Sequence, residues 1–207
     1  MEPRCRWLEQ DPSEPGIFGA MNEGFFQAAP FDWLLFWGSD DWAAGPDVFQ
    51  LAITALESAS PLPDLLVCQG RYAVASSGTL ARRSMFRPAG VFTFDAYRRA
   101  LLLGFTPPHQ ATMIGAGARR RLARYAPGFR LSADLDYFLQ LSRFCDICVH
   151  SLDLELVHMA DTGVSSQQTQ RRLDEVRRAY RRRFGLFWWF PFLARYIHRL
   201  TSLLNLS

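Results

Sequence analysis

The sequence predicts an α/β fold: a mixed, mainly parallel sheet flanked by helices, followed by a C-terminal helical tail. Two observations carry this. Strand-like and helix-like segments alternate through the first half of the chain, the order that parallel sheets with crossover helices produce. The stretch FDWLLFWGSDDW, residues 31–42, places apolar side chains at successive positions, as a strand does when both faces of its sheet are covered.

Residues 1–16 are irregular and end in Pro15-Gly16. Ile17, Ala20, Met21, Gly24, Phe25 and Ala28 repeat at helical spacing, and Pro30 stops that helix. Residues 32–37 form the buried strand, which leaves through Ser39, Asp40 and Asp41. Pro46 suits the first turn of the next helix. Val48, Leu51, Ala52, Ala55 and Leu56 share one face of it, and Pro61 and Pro63 close it. Leu65–Gln69 reads as a strand, and Tyr72–Ala75 pairs with Leu80–Arg82 as a hairpin across Ser76-Ser77-Gly78. Residues 93–103 are helical, Ala111–Ile114 is a strand, Arg119–Tyr125 a short helix and Ala133–Phe144 a longer one. Two short strands follow near 146–150 and 153–158. A polar helix capped by Ser165 or Ser166 then runs to Phe184, with Gly185 after it.

At 207 residues, 49% hydrophobic and 21% charged, the composition is that of a globular domain with a real core rather than a disordered chain. The net charge of +3 is unevenly placed. Arginines crowd residues 171–183, RRLDEVRRAYRRR, and acidic groups outnumber basic ones elsewhere. Cys5, Cys68, Cys145 and Cys148 are too few for a disulfide framework in a chain of this length. The N-terminus MEPRCRWLEQDPSEP is polar and Pro-punctuated, unlike a signal peptide, and no apolar run reaches the length of a membrane span. A cytoplasmic location is the expectation.

Ligands of open α/β sheets bind beyond the carboxyl ends of the strands. Asp40 and Asp41 lie where the chain leaves such a strand. A carboxylate there can hold Mg²⁺ or Mn²⁺ together with substrate phosphates; alternatively, either residue caps the helix near Pro46. The longer stretch SEPGIFGAMNEGFFQAAPFDWLLFWGSDDW resembles the middle of family 2 glycosyltransferases with the GT-A fold. PPHQATM resembles the family's PHQ segment, GFRLSADLDYFLQL its following acidic segment, and DTGVSS with the basic helix ending RRRFG its usual tail. The match keeps the family's order from about residue 10 to 185.

The resemblance implies a GT-A-like (Rossmann-like) sheet and inverting transfer of a sugar from a nucleotide diphosphate-sugar to an acceptor hydroxyl, on a glycan or a lipid-linked glycan. It implies a divalent cation, Mn²⁺ or Mg²⁺. The family's Asp-x-Asp reads Gly38-Ser39-Asp40 here, so Asp40 matches as the metal ligand and the first Asp is absent, with Asp41 as a helper. The base that takes the acceptor proton maps onto Asp134, where the family's preceding Glu is Ala133. Asp136 lies about 200° further round a helix and faces elsewhere. On the residues alone, Asp134 equally suits the positive end of the helix dipole. Asn22 matches an Asn beside the donor, and His109 and Gln110 match the segment near the acceptor. The family begins with a strand, a helix and a second strand that hold the nucleoside. They have no counterpart here, so a βαβ unit of roughly 50–60 residues is expected to be missing. A non-catalytic, membrane-peripheral remnant of such an enzyme is the alternative.

Residues 1–185 form the transferase domain on this reading, and 186–207 a separate aromatic tail. That tail, LFWWFPFLARYIHRLTSLLNLS, is divided by Pro191 and joins Trp and Phe to Arg195, His198 and Arg199. This is the composition of a segment at a membrane interface, at the inner face of the membrane, or of one packed on its own core. The basic helix reads as a solvated face, interrupted by Asp174 and Glu175, and not as a nucleic-acid site. Cys145 and Cys148 have redox-motif spacing, but core packing is the expectation for them.

Overall fold

The computed structural model describes residues 5–73, 79–84, 86, 90–160 and 168–204. Two long strands form its spine: β2 (Leu65–Ala73) and β6 (Val149–Ala160), which run parallel. Short strands pair antiparallel along their outer edges. β1 (Trp42–Ala43) and β4 (Gly90–Phe92) line β6. β3 (Leu80–Arg83) and β5 (Thr112–Ile114) line β2. The six-stranded sheet is therefore mixed as predicted, but its short edge strands are antiparallel and only the central pair is parallel.

The helices are α1 (Ile17–Gln27), α2 (Val48–Glu57), α3 (Phe94–Leu102), α4 (Ala116–Arg121), α5 (Ala133–Leu141), α6 (Thr169–Phe184) and α7 (Trp189–Leu204). Thr93 caps α3 by accepting from the Ala96 N–H at 3.3 Å. Gly185 closes α6 at φ 57°. The cap predicted at Ser165 or Ser166 and the turn at Ser76-Ser77-Gly78 lie outside the described residues. Four expectations are corrected. The two short strands near 146–158 are one twelve-residue strand, because irregular register at Val67/Gln69 and Gln69/Gly70 lets β2 follow it throughout. The short helix lies at Ala116–Arg121, earlier than Arg119–Tyr125. Neither Asp40 nor Asp41 caps α2, whose N-cap is Asp47. Pro191 does not divide the tail, because it sits in the first turn of α7, where no intrahelical bond needs its missing N–H.

The fifth correction concerns the opening stretch. Residues 32–37 are extended but form no strand; their ladder is one bridge, with reciprocal bonds between Leu34 and Ile114 at 3.0 and 2.8 Å. Their burial on both sides is nonetheless as expected. Leu34 and Phe36 pack into the core beneath α1, α3 and α5, whereas Trp33, Leu35 and Trp37 pack into the core beneath α2. The alternation divides one segment between two cores.

Glu175 of α6 holds α5 in place. It is 7% exposed, and its carboxylate accepts the backbone N–H groups of Arg130 (3.0 Å), Leu131 (2.8 Å) and Ser132 (3.0 Å) at the entrance to α5. Arg171 bonds the same carboxylate at 3.3 Å. Ser132 stands at the N-cap position without a side-chain cap bond of its own, so a carboxylate from another helix does that work. Glu175→Ala is expected to leave these donors without an acceptor and to lower stability by about 3 kcal/mol or more. Glu175→Gln keeps one carbonyl oxygen and is expected to lose less; urea midpoints of the two variants against the parent test the order.

Candidate active site

A cavity of about 120 Å³ opens where β3, the Gly104–Gln110 loop, α5 and α7 meet. Asp134, His109 and Gln110 line it together with Tyr72, Arg83 and Arg195. Three of the residues singled out in the sequence thus come together although 24 positions separate Gln110 from Asp134.

Asp134 lies in the first turn of α5, partly exposed, on the end of the helix that Glu175 fixes. His109 is buried beside it. The His109 ring stacks on Phe36 with centroids 5.9 Å apart, and its Nε2 lies 2.6 Å from the Tyr125 hydroxyl. Burial holds the His109 pKa below its ordinary value, against the opposing pull of the Asp134 charge, and so favours the neutral ring. Burial likewise keeps the Tyr125 phenol protonated, helped by the negative charge of Asp134.

Asn22 does not line the cavity. Its amide is engaged by Tyr125, accepting that residue's N–H at 2.8 Å and donating to its carbonyl at 3.4 Å, and it also donates to Glu14 at 3.2 Å. Asn22 thereby fixes the ring that contacts His109.

Asp40 and Asp41 are also outside the cavity lining, yet two contacts tie their turn to it. Trp37 donates its indole N–H to the Gln110 carbonyl at 2.8 Å, and Phe36 stacks on His109. Asp41 accepts the Gly38 N–H at 2.7 Å, closing the turn. A Cβ on Gly38 would lie 2.7 Å from one Asp40 oxygen and 3.3 Å from one Asp41 oxygen, so both carboxylates fold over this turn. Burial and the neighbouring Asp40 charge raise the Asp41 pKa, opposed by the Gly38 bond. Among the described residues no three His, Cys, Asp or Glu side chains converge as a metal site. Two adjacent carboxylates without a third ligand fit a cation such as Mg²⁺ that takes its remaining ligands from substrate phosphates and water.

No family model matches the chain. It is 26% identical over 186 residues to two Mycobacterium tuberculosis proteins, the uncharacterized glycosyltransferases MT1564 (strain CDC 1551 / Oshkosh) and Rv1514c (strain ATCC 25618 / H37Rv). Its relatives are named glycosyltransferases. The similarity covers 86% of this chain and 66% of each relative. The fold is similar to that of S. aureus TarS residues 1–349, crystallised with UDP, at a TM-score of 0.52 and 15% identity. That likeness spans 86% of this chain and 48% of the TarS chain. These matches support a glycosyltransferase-type chain.

Several cavity residues carried no signal in the sequence. Arg83 ends β3, and Arg195 is marked in the sequence only as part of the basic aromatic tail, with neither in a motif. Glu175 did leave one: it shares the buried face of α6 with Val176, Ala179 and Tyr180, an acid at a core position. The redox-spaced cysteines are free thiols. Cys145 is exposed and Cys148 half-buried, so core packing does not describe Cys145, which the chain leaves outside after α5.

The depressed His109 pKa makes a pH prediction. Below 6.5 the unfolded chain binds a proton at this ring that the folded chain resists, so stability falls as pH drops from 6.5 toward the folded value and is full above 6.5. His109→Gln is expected to flatten the fall in urea midpoint between neutral and mildly acidic buffer. Parallel acid slopes for parent and variant would show that His109 does not titrate in this way.

Proposed function

We propose that this chain carries the acceptor side and part of the donor side of an inverting, family 2-like glycosyltransferase of GT-A type. The single observation that supports it most is the meeting of Asp134, His109 and Gln110 in one cavity, in a chain whose relatives are named glycosyltransferases. Asp134 serves as the base. Its carboxylate takes the proton of an acceptor hydroxyl as that oxygen forms its bond to the anomeric carbon, while the bond from that carbon to the diphosphate oxygen breaks and the nucleoside diphosphate leaves with the electron pair. Attack from the face opposite the leaving group inverts the anomeric centre.

Asp40, with Asp41, would hold Mn²⁺ or Mg²⁺, whose contribution when bound is to stabilise the charge on the departing diphosphate. His109 and Gln110 form the wall on the acceptor side, and the neutral His109 ring adds no positive charge there. UDP in the TarS crystal supports a nucleotide diphosphate-sugar as the donor class.

We further propose that the chain contacts a membrane surface, on the cytoplasmic side. Leu186 (90% exposed), Phe187, Trp189, Phe190, Leu193 and Ile197 form an outward apolar face on α7 and the turn before it. Arg177, Arg178, Arg181 and Arg182, with Asp174, line an open groove along α6, and Arg177 and Arg181 lie over the Trp188 ring at 4.8 and 5.4 Å. Apolar side chains flanked by guanidinium groups suit an anionic bilayer. No helix among the described residues is long and apolar enough to cross a membrane, which suits contact rather than insertion.

In a transfer assay with a UDP-sugar and Mn²⁺, Asp134→Asn is expected to lower turnover by about 10²–10⁴-fold, the usual contribution of a positioned base. UDP binding should stay unchanged in that variant, whereas Asp40→Asn should abolish the Mn²⁺ dependence. Undiminished turnover in Asp134→Asn would remove the base assignment. No transfer and no UDP binding in the parent chain would favour the non-catalytic scaffold.

Sedimentation with phosphatidylserine vesicles at low salt tests the surface. Leu186→Ser with Phe187→Ser is expected to cut the bound fraction at least tenfold, given about 1.5–3 kcal/mol for each large apolar side chain buried. Unaltered sedimentation would mean that the apolar face does not touch lipid.

A further inference from the structure

The cavity at Asp134 carries more positive charge than its one carboxylate can balance. Arg83 and Arg195 line it, and Asp134 is the acidic residue among its described lining. Neither arginine is ion-paired with Asp134 among the described residues. Arg195 Nη1 donates to the neutral Thr106 hydroxyl at 2.7 Å, and its Nε is buried with no hydrogen-bond partner. Such a nitrogen is costly to leave unmade in a folded protein. Arg83 has only a share in Glu155. Its Nε lies 3.5 Å from an oxygen that Arg71 already bonds at 2.9 Å, and the other Glu155 oxygen is taken by His158 at 2.8 Å.

The two arginines lie 112 positions apart in the chain. β3 carries Arg83, and α7 brings Arg195 across the Gly104–Thr106 loop. A Cβ on Gly104, at φ +82°, would lie 2.4 Å from the Arg195 backbone nitrogen, so the close approach of the two backbones sets how deeply Arg195 reaches. A cation held this tightly at a cavity wall, and left without a counter-charge, is built to meet an anion.

We propose that the acceptor carries a negatively charged group, phosphate or carboxylate, and that Arg195 with Arg83 binds it while its hydroxyl is presented to Asp134. This rests on the transferase reading above and adds the class of acceptor. The enclosed volume of about 120 Å³ suits one such group with the adjoining hydroxyl carbon, leaving the rest of the acceptor in the open mouth. Arg195 and Arg83 act as specificity-determining residues, discriminating a charged acceptor from a neutral one.

Calorimetric titration of the full chain with octyl phosphate, octanoate and octanol, with UDP in a separate cell, tests this without any turnover. Octyl phosphate or octanoate should bind at least tenfold more tightly than octanol. Arg195→Gln should erase most of that margin, because a charge-assisted bond to a buried group is worth about one decade of affinity or more. Arg195→Lys, which keeps the charge and loses the fork, should retain part of it. Arg83 is half-exposed, so Arg83→Gln tests the same margin in a variant that folds even if Arg195→Gln does not. The relative response to phosphate and carboxylate identifies which anion the acceptor bears. Equal affinity for octanol and octyl phosphate in the parent overturns the proposal. So does a loss of UDP affinity in Arg195→Gln as large as the loss for octyl phosphate, since the cations would then belong to the donor diphosphate. Binding of octyl phosphate together with undiminished transfer in Asp134→Asn would leave the anion site standing and refute the assignment of the base instead.

Discussion

One buried carboxylate holds the candidate site in register. Glu175 reaches from α6 to three consecutive backbone N–H groups at the start of α5, and the first turn of that helix carries Asp134. The arrangement is stable because the positive end of a helix and three N–H donors together replace the water that the carboxylate lost. A second link, from Arg182 to the buried Asp136, joins the same two helices one turn further on. There burial raises the Asp136 pKa more strongly than Arg182 lowers it, so this pair adds orientation more than stability. The helix that bears the cationic surface is thus also the helix that positions Asp134.

On the other side of the cavity, the constraint is aromatic. Tyr125 stands edge-on to Phe18, Phe25 and Tyr137 at 5.1–5.2 Å, and its hydroxyl meets His109. Asn22 clamps the Tyr125 backbone through both ends of its amide. Phe36 and Trp37 then attach the Asp40-Asp41 turn to the His109-Gln110 corner, one by stacking and one by a hydrogen bond. An Asn that reads as an ordinary helix residue, or as a donor contact by resemblance, acts here two steps removed from the cavity.

The elements legible in the sequence were those whose periodicity reflects local packing: α1, α2, α5 and the central strand β2 repeat their apolar positions as their burial requires. The corrections to the strands share one cause. Residues 32–37 alternate between two cores, which the sequence records; whether such a segment joins a ladder depends on what lies beside it, and β5 offers only a single bridge. The same holds for strand direction, since the short edge strands are placed by loops whose paths no local pattern encodes. At the site, Asp134, His109 and Gln110 were legible because the sequence around them resembles a family. Arg83 and Arg195 were not, because a lone arginine outside a motif is indistinguishable from a solvated one until the fold shows what surrounds it.

The C-terminal helix unites these features. Trp188, Pro191 and Phe192 turn inward against the core, and the Phe105 ring packs tilted against His198 with centroids 4.4 Å apart, so α7 is anchored along one face. Trp189, Phe190, Leu193 and Ile197 remain outside on the other. Arg195 lies between, at the seam where the inner face meets the cavity. A helix of this kind has two reasons to be amphipathic: its inner stripe completes a core, and its outer stripe stays apolar at a cost in solubility that a soluble surface would not retain without a use. Moving α7 away from the body would expose Trp188 and Phe192 and withdraw Arg195 from the cavity together. Arg195 at the cavity and the outward apolar face therefore belong to one helix, whose backbone passes close to Gly104.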